Sequence, residues 1–127
     1  MNTFTKVVLY TDRDGRAKWR DEIVPLSGGT PQAALSELFS SSGYQLRRSP
    51  VGFRSQWHCT PQAQWVFILG GEMEIGLQDE ASRIFRPGEH FYSADLLPAG
   101  ASFDPAVHGH WSAQRGPHPL VTLFLKG

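Results

Sequence analysis

The chain has 127 residues, enough for one core and too few for two independent ones, so a single domain over 1–127 is expected. Lysine plus arginine (12) equals aspartate plus glutamate (12), so no net field draws in nucleic acid or an anionic membrane surface, and neither is expected as a partner. The single cysteine, Cys59, excludes an internal disulfide and a thiolate zinc cluster, which points to a reducing, cytoplasmic setting.

The opening "MNTFTKVVLYTDRDG" meets charge and turn residues before any apolar stretch of signal-peptide length, and no later run approaches the roughly 18 apolar residues of a membrane span. "FTKVVLY" and "RAKWRDEIVPL" flank the aspartate-glycine turn "TDRDG", which predicts an N-terminal β-hairpin over about 4–26. "PQAALSELFSSSG" has helix formers and an early proline, and predicts a turn or two of helix at most. From Tyr44 the pattern is strand after strand: 44–49, 51–59, 64–69, 72–78, 82–86, 89–94, 106–113 and 119–125. The breaks are "GG", "QDEAS", "RPGE" and "QRGPHP". Such spacing with so little helix predicts an all-β sandwich, jelly roll or barrel over about 44–126.

Side chains on a strand switch faces at every residue, so the alternation assigns each one a side. On 53–60, Arg54, Gln56, His58 and Thr60 share one face, and Phe53, Trp57 and Cys59 share the other. On 64–69, Gln64, Val66 and Ile68 oppose Trp65, Phe67 and Leu69. A strand apolar on both faces is covered on both, so the Gln64 face is expected to look inward. If 53–60 is a neighbour of like orientation, His58 looks into the same partly polar lumen.

The series Gly52, His58, Thr60, Gln64, Gly71 has gaps of five, one, three and six residues. It resembles the first motif of the cupin superfamily: a glycine, two histidines one residue apart, a glutamate and a glycine. Thr60 stands at the second histidine and Gln64 at the glutamate. "FRPGEHFYSAD" at 85–95 is similar to the proline-glycine-acid turn of cupins and carries an aspartate after it. "GHWSAQRGPHPLVTLFL" at 109–125 is similar to their closing hairpin, with His110 or His108 as the last histidine. The resemblance runs from about residue 4 to the end and implies a cupin-type jelly-roll β-barrel.

It further implies a divalent metal ion, Fe, Mn, Ni or Zn, held by His58, Gln64 and His110, with no organic cofactor. Glutamine coordinates through its carbonyl oxygen, whereas threonine is a poor first-row ligand. Two imidazoles and an amide oxygen leave positions open for water or substrate, the condition for catalysis rather than structural binding. Thr60, Tyr92 and His108 are candidates for hydrogen bonding or proton transfer in the reaction. Arg54 and Gln56 are candidates for substrate binding, Arg54 as a bidentate partner of a carboxylate or phosphate; the alternative places Arg54 in water at the barrel mouth.

Trp57 and Trp65 project away from the lumen, so packing on a second sheet or a partner is expected of them, and with it a homodimer. His90 and His118 read as surface residues. Cys59 faces opposite to His58, which argues against a thiol-imidazole pair. Two functions from different classes follow. One is a metal-dependent enzyme acting on a small molecule, whether as oxygenase, isomerase, cyclase or lyase. The other is a metal-free binding or sensing module using the same cavity. A third reading is a structural subunit whose cavity is vestigial.

Overall fold

A computed structural model describes residues 2–127, and among them eleven strands and no helix. The N-terminal hairpin is present. β1 (Thr3–Thr11) and β2 (Ala17–Pro25) pair antiparallel about a turn closed by Asp12 N–H on Arg16 O and Gly15 N–H on Asp12 O.

The segment expected to be helical is not. β3 (Gly28–Thr30) and β4 (Ala33–Leu35) form a small hairpin there, and 36–42 is irregular. A short helix needs an apolar stripe buried against something. Leu35 and Leu38 instead stand in solvent.

The remaining strands are β5 (Gly43–Ser49), β6 (Gln64–Gly70), β7 (Glu72–Gly76), β8 (Ser82–Phe85), β9 (His90–Ala94), β10 (Trp111–Arg115) and β11 (Leu120–Lys126). They form a large sheet, β2-β1-β9-β6-β11-β5, and a small one, β10-β7-β8. Two expected strands are shorter than the alternation implied. Residues 51–59 form no continuous ladder with β10 and the residue before it: backbone bridges join them at Arg54↔Ala113 and His58↔His110, because a turn at 50–53 interrupts the pairing. Residues 104–110 precede β10 as a turn in which Asp104 accepts from Ala106, Val107 and His108 N–H groups, the local bonding that lets aspartate compete with a strand.

Four antiparallel ribbons define the topology: β5 with β11, residues 54–58 with β10, β6 with β9, and β7 with β8. The chain over 43–76 is therefore folded back on 82–126, and successive ribbons pass from one sheet to the other. That is a jelly roll, in agreement with the cupin-like, all-β architecture expected from the sequence.

Between the sheets lies one apolar cluster, including Val66, Ile68, Met73, Ile75, Phe85, Phe91 and Leu120. Even-numbered residues of β6 face this core, as the alternation predicts. The outer face of β6 is partly covered, by Trp65 stacked on Phe67 and packed against Phe4, His90 and Tyr92. Gly71, the last glycine of the motif, turns β6 into β7 at φ 71°, and a Cβ there would stand 2.4 Å from the Pro119 carbonyl oxygen. Only glycine accommodates both that dihedral and that contact.

Candidate functional site

The core leaves one polar cavity of about 70 Å³ between the sheets. Its apolar floor includes Val66, Met73, Ile75, Phe91 and Phe124; Arg47, His58, Thr60, Gln64, Ser93, His110 and Ser112 supply the polar lining. The structure thus brings together four residues singled out in the sequence, His58, Thr60, Gln64 and His110.

His110 is buried at the entry to β10 and His58 stands at the mouth, exposed on one side. Their backbones exchange N–H···O=C bonds of 2.9 Å in each direction, which sets the ring centroids 4.6 Å apart. Gly109 makes that approach feasible. Its φ is 86°, and a Cβ there would lie 2.6 Å from the His58 carbonyl oxygen.

Each ring is oriented through Nδ1. In His110 it lies 2.8 Å from Oδ2 of Asp95, a fully buried residue, and a carboxylate can only accept, so the proton sits on Nδ1. In His58 it donates to the Gln56 carbonyl at 2.9 Å, with the Ser55 hydroxyl at 3.3 Å. Nε2 of each ring is left without a protein partner among the described residues and can exchange a proton or hydrogen bond with a ligand. Desolvation lowers the His58 pKa below its usual value; the Gln56 carbonyl opposes this, and the neighbouring His110 and Arg47 add to it. Asp95 accepts a second bond from the Thr11 hydroxyl at 2.8 Å, and its carbonyl accepts Thr60 N–H. The Thr60 and Ser93 hydroxyls bond to each other in the interior.

A divalent ion finds two imidazole nitrogens here and no third suitable donor. The Gln64 oxygen, third ligand in the resemblance, accepts the Lys126 ammonium at 2.6 Å. The Asp95 carboxylate is occupied by His110 and Thr11, and no grouping of three His, Cys, Asp or Glu side chains suited to a metal occurs among the described residues. Two cationic side chains, Lys126 and Arg47, add repulsion. The donor set does not fit a divalent ion.

The other predicted site residues lie elsewhere. Arg54 and Gln56 do not share the His58 cavity; with Trp57, Phe103 and Trp111 they line a separate depression of about 440 Å³, where the guanidinium stacks 4.2 Å from the Trp111 ring. Strict alternation fails between 54 and 60 because that segment is bridged at two points rather than continuously paired.

Tyr92 is on the outer face of β9, its hydroxyl donating to Gly127 O at 2.6 Å and its ring under the Lys6 ammonium. His108 belongs to the 104–108 turn, where its Nδ1 accepts Asp104 N–H, so of the two histidines His110 is the one in the cavity. His90 is half-buried rather than free on the surface: its Nε2 accepts Val7 N–H at 3.3 Å and its ring packs on Phe4. His118 is exposed, as expected. Burial, aided by Asp95, pushes the Cys59 thiol up to about 11, so it is no thiolate nucleophile at neutral pH.

Arg47, Ser93 and Ser112 escaped the sequence reading. The alternation of β5 and β9 carried the signal for the first two, since Arg47 is inward by the parity of Ser49 and Ser93 by that of Phe91.

No protein-family model matches the chain, and no curated protein matches it. Among solved structures, it is similar to a Ralstonia eutropha protein provisionally assigned as a mannose-6-phosphate isomerase. Identity there is 22%, with 98% of this chain and 83% of that one covered, at a TM-score of 0.38. It is also similar to the Cnp3 cupin domain of Schizosaccharomyces pombe, at 12% identity, 100% and 86% coverage and a TM-score of 0.45.

Two outcomes test the geometry. His110→Ala leaves Asp95 buried beside an empty space and is expected to cost about 3–5 kcal/mol in urea unfolding, whereas His58→Ala, at the exposed mouth, stays within about 1 kcal/mol. A loss for His110→Ala no larger than that for His58→Ala would contradict the buried pair. The second concerns pH. Burial lowers the pKa of both His58 and His90 below the ordinary imidazole value of about 6.5. Below that value the unfolded chain takes up protons that the folded chain does not, so stability falls as the pH drops from about 7.5 to about 5.5. His90→Gln keeps an acceptor for Val7 N–H without the titration, and its urea midpoint is expected to fall less over that range.

Proposed function

We propose that this chain is a small-molecule-binding protein of cupin type, whose interior cavity holds its ligand by hydrogen bonds and charge without a divalent metal. The observation that carries the reading is the Lys126 ammonium on the Gln64 oxygen, which places a cation's charge where a metal's third ligand would be needed. In this reading Nε2 of His110, backed by Asp95, is the atom that accepts or gives a proton to the ligand. Nε2 of His58 meets the ligand at the mouth, and the Thr60–Ser93 hydroxyls bound the floor.

Protein purified without a histidine tag and dialysed in turn against Fe²⁺, Mn²⁺, Ni²⁺ and Zn²⁺ is expected to retain metal far below one ion per chain. Stoichiometric loading that disappears in both His58→Ala and His110→Ala would restore the metal-dependent enzyme of the resemblance and sink the metal-free reading.

We also propose a homodimer formed through the outer face of the large sheet. Ladder partners point to the same side, so Tyr44 and Leu46 of β5 share that face with Leu123, Leu125, Trp65 and Phe67. Tyr44 is 70%, Leu46 67% and Leu69 53% exposed, an apolar area that a monomer would leave in water. Sedimentation equilibrium is expected to give twice the chain mass for the wild type and the single-chain mass for Leu46→Glu. A monomeric wild type at all concentrations would contradict it.

A further inference from the structure

We infer that the interior cavity binds a carboxylate, gripped side-on by Arg47. The inference rests on the metal-free reading above and names the chemical class of the ligand.

Arg47 lies on the inner face of β5, opposite Thr122 of β11, a fully buried residue that in turn pairs with inward-facing Ile68. Its guanidinium carbon stands 5.0 Å from the centroid of Phe124 and 5.5 Å from that of Phe53, and Arg47 is one of the residues lining the cavity. Contacts with ring faces stabilise a cation, but they leave the N–H groups along its edge unanswered.

Two of its nitrogens, Nε and Nη2, are buried with no hydrogen-bond partner, and no carboxylate forms an ion pair with it, among the described residues. Across the ladder, the Thr122 hydroxyl is buried and unpartnered as well. Buried charged donors without acceptors are among the most costly arrangements a fold can hold. Burial accordingly lowers the guanidinium's pKa from its usual value.

The identity of the two unanswered atoms indicates the shape of what is missing. Nε–H and the outer Nη2–H point the same way along one edge of the guanidinium, the fork that meets the two oxygens of a carboxylate in parallel bonds. A neutral ligand would leave the charge uncompensated. The same fork can hold two oxygens of a phosphate, but a phosphate brings more negative charge than the single free guanidinium answers, since the other cation nearby, Lys126, is engaged with Gln64. The cavity's 70 Å³ is about the volume of two waters in the liquid, enough for a carboxylate group. The remainder of the ligand then leaves past His58, on the exposed side of the cavity.

The test is a thermal-shift and calorimetric titration of the untagged protein with acetate, with acetamide as neutral isostere and inorganic phosphate as the other anion, at constant ionic strength. Acetate is expected to raise the melting temperature and bind at least tenfold more tightly than either comparator; a ligand specific to the folded state must do so. Arg47→Met is expected to melt no lower than the wild type without ligand, because it removes an uncompensated charge, and to lose the acetate response. Arg47→Lys keeps charge but not the fork and should fall between. Equal binding of acetamide, preference for phosphate, an unchanged acetate affinity in Arg47→Met, or no acetate response in the wild type would each overturn the carboxylate. The metal-free reading fails separately, by stoichiometric metal loading.

Discussion

The site hangs on Asp95. Its side chain is wholly removed from water, and three elements meet on it: the end of β1 through the Thr11 hydroxyl, the approach to β6 through Thr60 N–H on its carbonyl, and the entry to β10 through the His110 ring. A carboxylate buried in this way is tolerable only when its lone pairs are answered. Each partner therefore has little freedom to move, and His110 is held with one nitrogen committed and the other presented to the cavity. The His58 bridge and the positive φ of Gly109 complete the arrangement from the opposite side.

The jelly roll supplies the enclosure. Its four ribbons cross between the sheets, so the inward faces of β5, β6, β9, β10 and β11 all look at one space. Most of that space is filled by side chains such as Phe91 and Ile75, and the polar remainder is small. Here that space is lined by two imidazoles and the Arg47 side chain, with the Lys126 ammonium held behind it on the Gln64 oxygen. Fold alone does not choose the ligand of such a cavity.

Where the alternation of side chains met a continuous ladder, it assigned faces correctly: Gln64, Val66 and Ile68 inward, Trp65 and Phe67 outward. Where backbone pairing was interrupted it did not. Arg54 and Gln56 fell outside because a bridged segment can rotate between its two contacts, and His108 was claimed by the Asp104 turn. The helix expected at 31–43 failed for want of a surface to pack on. The positions of Asp95 and Gly109 were legible as features of the cupin resemblance, but their physical roles were not, since both depend on contacts with residues distant along the chain.

The sequence alone determined the all-β class and the punctuation of the strands, because turn chemistry and two-residue periodicity are local properties of the chain, and the cupin resemblance added His58, Thr60, Gln64 and one of His108 and His110 as candidates. Which charges surround those candidates was decided only in three dimensions. Arg47 reaches the cavity from 11 residues before His58, and Lys126 reaches the Gln64 oxygen from 62 residues further along the chain. Coulomb interaction depends on separation in space, which only the closed pair of sheets defines.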